Sequence, residues 1–216
     1  MPCVVEGCAH DAVVLVHDSL PFAPGAGPFR IKGNAYLGAL AYTKIHCELP
    51  AVLGKLKNPD TAAFLAQRFV VGGFYDVGPL ATLAVAAALT AGRPHLTWLK
   101  EQGRDVADKD IGGVYRVLLA LASPALVMRR LQRTASQYFD FVEVEVIERE
   151  DRWETIGSGI PEGAIHTYMA TTEAYLVTAL ERAGAKGVRH RWLPPEPAGH
   201  KHGVAVLRVR REVAWA

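Results

Sequence analysis

Residues 141–148 read FVEVEVIE, and this stretch decides the fold. Val142, Val144 and Val146 alternate with Glu143 and Glu145, the period of two that puts apolar side chains on one strand face and carboxylates on the other. After the charged turn Glu148 to Arg152, Trp153 to Ile156 pairs back as a second strand. Gly157, Gly159 and Pro161 interrupt. A helix is predicted from about Glu162 to Arg182, with Met169, Glu173, Leu176 and Leu180 along one face and Gly184 and Gly187 marking its end. Val188 to Leu193 reads as a third strand and Pro194 to Gly203 as a loop. Val204 to Val213 is a fourth strand, with Val204, Val206 and Val209 inside and arginines outside for much of its length. Strand, strand, helix, strand, strand is one antiparallel four-stranded sheet crossed by a helix, buried on one face.

Upstream the period lengthens to that of helices. Leu37, Leu40, Ala41 and Ile45 follow the starting signal Gly33-Asn34, and Leu49-Pro50 ends that helix. Asn58, Pro59 and Asp60 supply a cap, a first-turn proline and a charge suited to the helix dipole, predicting a helix to about Val71 that stops at Gly72 and Gly73. Pro79 to Ala91 is alanine-rich, a central packing helix. Three more helices follow: His95 to Val106, Gly112 to Ala122, and one opened by Ser123-Pro124 that runs to near Ser136. The fold class is therefore α+β. Residues 1–29 form an irregular arm, and residues 30–216 one domain with a helical part (30–137) and a ββαββ part (138–216).

The chain has 216 residues, half of them apolar, with 24 Lys plus Arg against 22 Asp plus Glu. That makeup excludes a disordered or collagen-like chain. Basic and acidic residues balance in each half, so no segment carries the excess that nucleic acid requires. The longest charge-free stretch lies between Asp76 and Arg93, shorter than a membrane span of ~20 residues. Three cysteines and no secretory leader fit a reducing cytoplasm.

Cys3, Cys8 and His10, with His46 or Cys47, are zinc-type ligands, and His200 and His202 form a second pair, but neither set has the matched spacing of a zinc site. Cys47 adjoins His46, yet helical neighbours point about 100° apart. Ser158 lacks a Gly-x-Ser-x-Gly elbow, and no glycine-rich phosphate cradle precedes a helix. Arg104 and Arg116, close to Asp105 and Asp108, suggest ion pairs tying two helices, or an anchor for a carboxylate. Tyr36, Tyr75, His95, Trp98, Tyr115, Arg116, His166 and Tyr168 are the side chains suited to line an apolar pocket with a few polar groups.

The element order and a set of spaced residues resemble a paralogous family of myxobacterial proteins of unknown role. These are Ile31-Lys32-Gly33, Gly73-Phe74-Tyr75 before Pro79, Gly103-Arg104-Asp105-Val106-Ala107, Tyr115-Arg116, Ser123-Pro124 and the closing strand Val204 to Trp215. That family is related to the V4R and haem-nitric-oxide-binding (TRAPP-like) ligand-sensor superfamily, and the resemblance covers residue 30 to the end. It implies helices and an antiparallel sheet enclosing a pocket for a small apolar or aromatic molecule, used for sensing without catalysis. V4R relatives carry a cysteine-rich metal site where Pro194 to Gly203 here has no cysteine. The haem-binding branch uses a Tyr-x-Ser-x-Arg triad that this sequence lacks. No cofactor is therefore expected, with haem or zinc as the alternatives. The expected function is a non-catalytic ligand-binding regulatory domain acting on a protein partner or as a homodimer. A dimerisation or adaptor module of the same fold is the alternative, and a metal-dependent enzyme built on the histidines the third reading.

Overall fold

The computed structural model describes residues 21–112 and 123–216. Strand β1 (Arg30–Lys32) leads into helix α1 (Gly33–His46), followed by α2 (Leu49–Leu53) and α3 (Pro59–Leu65). Strand β2 (Phe74–Asp76) pairs antiparallel with β1, and α4 (Gly78–Thr90), α5 (His95–Gly112) and α6 (Pro124–Tyr138) complete the described helical half. Then come β3 (Glu143–Glu148), β4 (Trp153–Pro161), a 3-10 turn (Glu162–Ala164) and α7 (Ile165–Arg182). Strands β5 (Arg189–Trp192), β6 (Glu196–Lys201) and β7 (Val204–Ala214) close the chain. The fold is α+β, helical first and sheet last, as the periodicities dictate.

The capping residues act as read. Asn58 accepts from the Asp60 N–H at 2.8 Å, and Ser123 accepts from the Leu126 N–H at 3.3 Å, each with proline next in sequence. Helix α4 is buried nearly all round, which marks it as a core element. Ahead of it Asp76 is a hub: its carboxylate accepts from the N–H groups of Gly25, Gly27 and Gly78 at 3.0–3.1 Å.

Four expectations are corrected. Helix α3 ends at Leu65 rather than Val71, because the chain turns to lay Phe69 flat on Tyr36 with ring centroids 4.3 Å apart. Leu49 and Pro50 open a short helix of their own. Helix α5 continues beyond Val106 to Gly112. The sheet has five strands, not four, since the expected loop contains β6, which pairs with β7 at Glu196↔Arg208 and Lys201↔Val204. The expected helix Gly112 to Ala122 lies outside the described residues.

Strand β7 is central. It pairs with β4 along one edge and with β6 and then β5 along the other, all antiparallel. Two rungs of this ladder face the helices: Val144, Gly157 and Val209 form one, and Thr155, Arg211 and Trp192 the next. The opposite face carries charge. There Glu154 bonds Arg149 at 3.2 Å and Arg152 at 3.3 Å, and these arginines hold its carboxyl below the usual range.

Candidate functional site

The two inward rungs are the floor of a cavity of about 140 Å³. Helix α7 forms one wall with Tyr168, Thr171 and Thr172, α5 another with Leu99, Gln102 and Val106, and α6 a third with Leu131, Ala135 and Tyr138. Within each helix these residues lie three or four positions from a common member, the i, i+3, i+4 pattern of a single helical face. Helices α5 and α7 approach closely at Gly103, where an added Cβ would stand 2.9 Å from Ala174 Cβ. The described lining is overwhelmingly apolar and contains neither histidine nor cysteine.

Among its polar groups, Arg211 stands on β7, Tyr168 on α7 and Gln102 on α5. Arg211 is 4% exposed, and its Nη1 donates to the Thr172 carbonyl at 3.3 Å. Its guanidinium lies over the Trp192 ring, 4.6 Å from the centroid. Its Nε is buried without a hydrogen-bond partner, and no carboxylate among the described residues pairs with it. Burial lowers its pKa to about 10, against the pull of Tyr168 and Glu173. Tyr168 is pushed up to about 12 by burial, with Arg211 working the other way. Gln102, 6% exposed, has an unpartnered Oε1.

Of the eight pocket residues expected from sequence, Tyr168 lies in the cavity wall. Tyr36 is buried elsewhere, stacked on Phe69 and donating from its hydroxyl to the Asp76 carbonyl. Tyr75 accepts from the Val70 N–H at 2.9 Å, outside the cavity. His95 and Trp98 are buried at the start of α5, Trp98 edge-on to Tyr42 with centroids 5.0 Å apart, and neither lines the cavity. His166 is exposed at the start of α7. Tyr115 and Arg116 lie outside the described residues, as do Cys3, Cys8 and His10.

His200 and His202 sit on the exposed β6–β7 hairpin, His202 edge-on to Phe29. Among the described residues no three His, Cys, Asp or Glu gather as a metal site would require. The Cys47 thiol turns to the Ala87 carbonyl at 3.7 Å, while the His46 ring packs on Tyr42. The helix-tying ion pair forms between Asp108 and Arg182 at 2.6 Å, and Asp105 pairs with Lys109 instead of an arginine.

Sequence reasoning missed Arg211, Gln102 and Trp192. Arg211 had been placed outside with Arg208 and Arg210. The strict alternation Val209, Arg211, Val213 was the signal that puts it inside.

The class defined by this fold is the α+β architecture of H-NOX domains. An oxygen-binding H-NOX domain related to soluble guanylate cyclases superposes with a TM-score of 0.58 at 12% identity, covering 86% of this chain and 95% of the other. The Fe(II) unliganded H-NOX protein from K. algicida gives 0.59 at 12% identity, over 86% and 97% of the two chains. A protein in which porphyrin distortion modulates haem redox potential gives 0.58 at 11% identity, over 84% and 99%. No protein-family model and no curated protein sequence matches the chain.

These likenesses correct the expectation of a fold without a cofactor, because solved proteins of this architecture include haem proteins. The described cavity was therefore tested for haem. At about 140 Å³ it matches a pocket that takes a single benzene-sized ring, and a tetrapyrrole is several times larger. The described lining offers no imidazole or thiolate as an iron ligand. Of the tyrosines in the described lining, Tyr138 accepts from Asn34 Nδ2 at 2.9 Å, Tyr168 is held neutral by its raised pKa, and Tyr175 packs edge-on to the Tyr138 ring. The residues lining this cavity do not fit haem as they are packed.

Proposed function

We propose that the chain is a non-catalytic small-molecule sensor domain whose ligand occupies the cavity between α5, α6, α7 and the sheet. One observation carries this reading: helices from both halves of the chain and the inward rungs of β4 and β7 converge on one apolar hollow that also holds a few polar groups. Ligand pockets have that composition. The likeness to H-NOX domains supports a sensory use of the architecture, and the expected kinship with V4R sensors and myxobacterial origin belong to the same reading.

Occupancy stabilises whichever helix packing holds the ligand best, and so shifts the population of conformations. The output of that shift is contact with a protein partner or a second copy of the chain, in the cytoplasm. No described helix is long and apolar enough to cross a membrane.

The test is native mass spectrometry and thermal denaturation of the purified protein with benzene-sized compounds, neutral and charged. A one-to-one complex and a raised Tm are expected for at least one of them. No complex and no Tm shift with any compound would overturn the reading.

A further inference from the structure

Among the described residues Arg211 has no counter-ion of its own. The nearest acidic side chain that acts on it is Glu173, and Glu173 is already engaged: Oε1 pairs with Lys100 Nζ at 2.8 Å and Oε2 accepts from Trp192 Nε1 at 2.9 Å. His190 Nδ1 stands 3.6 Å from the same carboxylate, but partial burial holds the imidazole pKa below its ordinary value, so it adds no charge at neutral pH. Lys100 and Glu173 thus cancel, leaving the Arg211 charge in the wall of an apolar cavity without a described partner. Isolated charges are buried only at high cost unless something pairs with them.

The geometry around that charge is a receptor for an anion. The guanidinium offers donors in a fixed planar fork suited to a carboxylate. One of its nitrogens bonds the protein, to the Thr172 carbonyl, while Nε is free. Trp192 backs it from β5 and limits which way it faces. Tyr168, in the same cavity wall, stays protonated and able to donate.

Resting on the cavity reading above, we infer that the ligand is a small monocarboxylate with an apolar body of single-ring size, its carboxylate bound by Arg211. A neutral ring of the same size fills the hollow but leaves the guanidinium unpaired. A larger or dianionic molecule exceeds the space or the charge on offer.

Calorimetric titration of the protein with benzoate and with benzamide, its neutral isostere, tests the inference. Benzoate is expected to bind the wild-type chain at least tenfold more tightly than benzamide. Arg211→Met is expected to remove that preference while leaving benzamide affinity within about twofold. Equal or tighter binding of benzamide to the wild type, or a benzoate preference surviving in Arg211→Met, overturns the carboxylate inference and leaves the cavity reading standing. Binding of neither compound overturns the carboxylate inference, and if no other single-ring compound of the panel above binds either, the cavity reading falls with it. Should Arg211→Met fail to fold, the wild-type comparison decides alone, and Arg211→Lys is expected to keep the preference with weaker binding.

Discussion

Arg211 and Trp192 stand opposite one another in the β5–β7 ladder, and the guanidinium lies 4.6 Å from the centre of the indole ring. This places a cation on the inward face of a central strand, between Val209 and Val213, both buried. In a structural sheet that position would hold a third valine. The arginine therefore lowers the stability of the ligand-free fold in exchange for a charged group in the cavity.

The first prediction follows from that cost. Folding depresses the Arg211 pKa to about 10, so the folded state binds this proton less well than the unfolded chain does. Such a cation opposes folding at every pH below about 10, and the opposition fades as pH rises through that value. Replacing a buried, poorly compensated charge with an apolar side chain of similar length stabilises by about 1–3 kcal/mol. Arg211→Met is expected to raise the Tm of the ligand-free protein at neutral pH, measured by thermal denaturation. A clear fall would mean that the Thr172 bond and the Trp192 contact outweigh the desolvation.

Tyr168 titrates in the opposite sense. Its folded pKa, raised from 10.0 to about 12, favours the protonated phenol. That contribution to stability is fully present below pH 10 and is lost as pH climbs through 12. Burial raises both Tyr36 and Tyr168, so both are expected to ionise late in a spectrophotometric titration, and Tyr168→Phe to delete one late step. An unchanged late phase in Tyr168→Phe would contradict the burial assigned to this phenol.

What could be read from the sequence was whatever repeats. The period of two gave β3 and β7, the charged turn gave the start of β4, and caps with following prolines gave the starts of α3 and α6, whereas β4 runs on to Pro161 through the glycines expected to end it at Ile156. Strand β6 escaped because Pro197 and Gly199 break its pattern and every residue in it is exposed, so no apolar face announces it. The overshoot of α3 has a tertiary cause, since the stacking of Phe69 on Tyr36 draws the chain out of the helix. At the site, Tyr168 was legible as an amphipathic residue on a helix. Arg211 was hidden by its neighbours Arg208 and Arg210, because clustered charge ordinarily marks a solvated face.

Helices α5 and α7 cannot be spread without cost at Gly103. A Cβ there would meet Ala174 Cβ at 2.9 Å and the Thr171 carbonyl oxygen at 3.1 Å, both fixed to the backbone of α7. Gly103→Ala is expected to destabilise by about 1–3 kcal/mol in denaturant unfolding, an overpacking effect. Gly72→Ala is the control, with open space around the added methyl and no positive φ, and is expected to be neutral or slightly stabilising.

Asp76 ties the segment before β1 to the start of α4 through three backbone N–H groups. Removing the carboxylate leaves those donors without their charged acceptor, and donors to a charged group are worth about 1.5–3 kcal/mol each without adding fully. Asp76→Ala is expected to lower stability by about 2–4 kcal/mol in urea unfolding. A loss under about 1 kcal/mol would show that water replaces the carboxylate readily.

Filling the cavity separates its functional use from its structural consequences. Ala135 lines it from α6 and is only partly buried, so a longer side chain there has space to enter. Ala135→Leu adds three carbon atoms to a hollow of about 140 Å³, and cavity filling commonly yields about 0.5–2 kcal/mol. The variant is expected to melt at a higher temperature than the wild type when ligand-free, and to form no complex with a single-ring compound in native mass spectrometry. The two readouts move in opposite directions only if the hollow is a binding site left open at the expense of stability. A variant that melts lower has been overpacked, and one that binds as before places the ligand elsewhere.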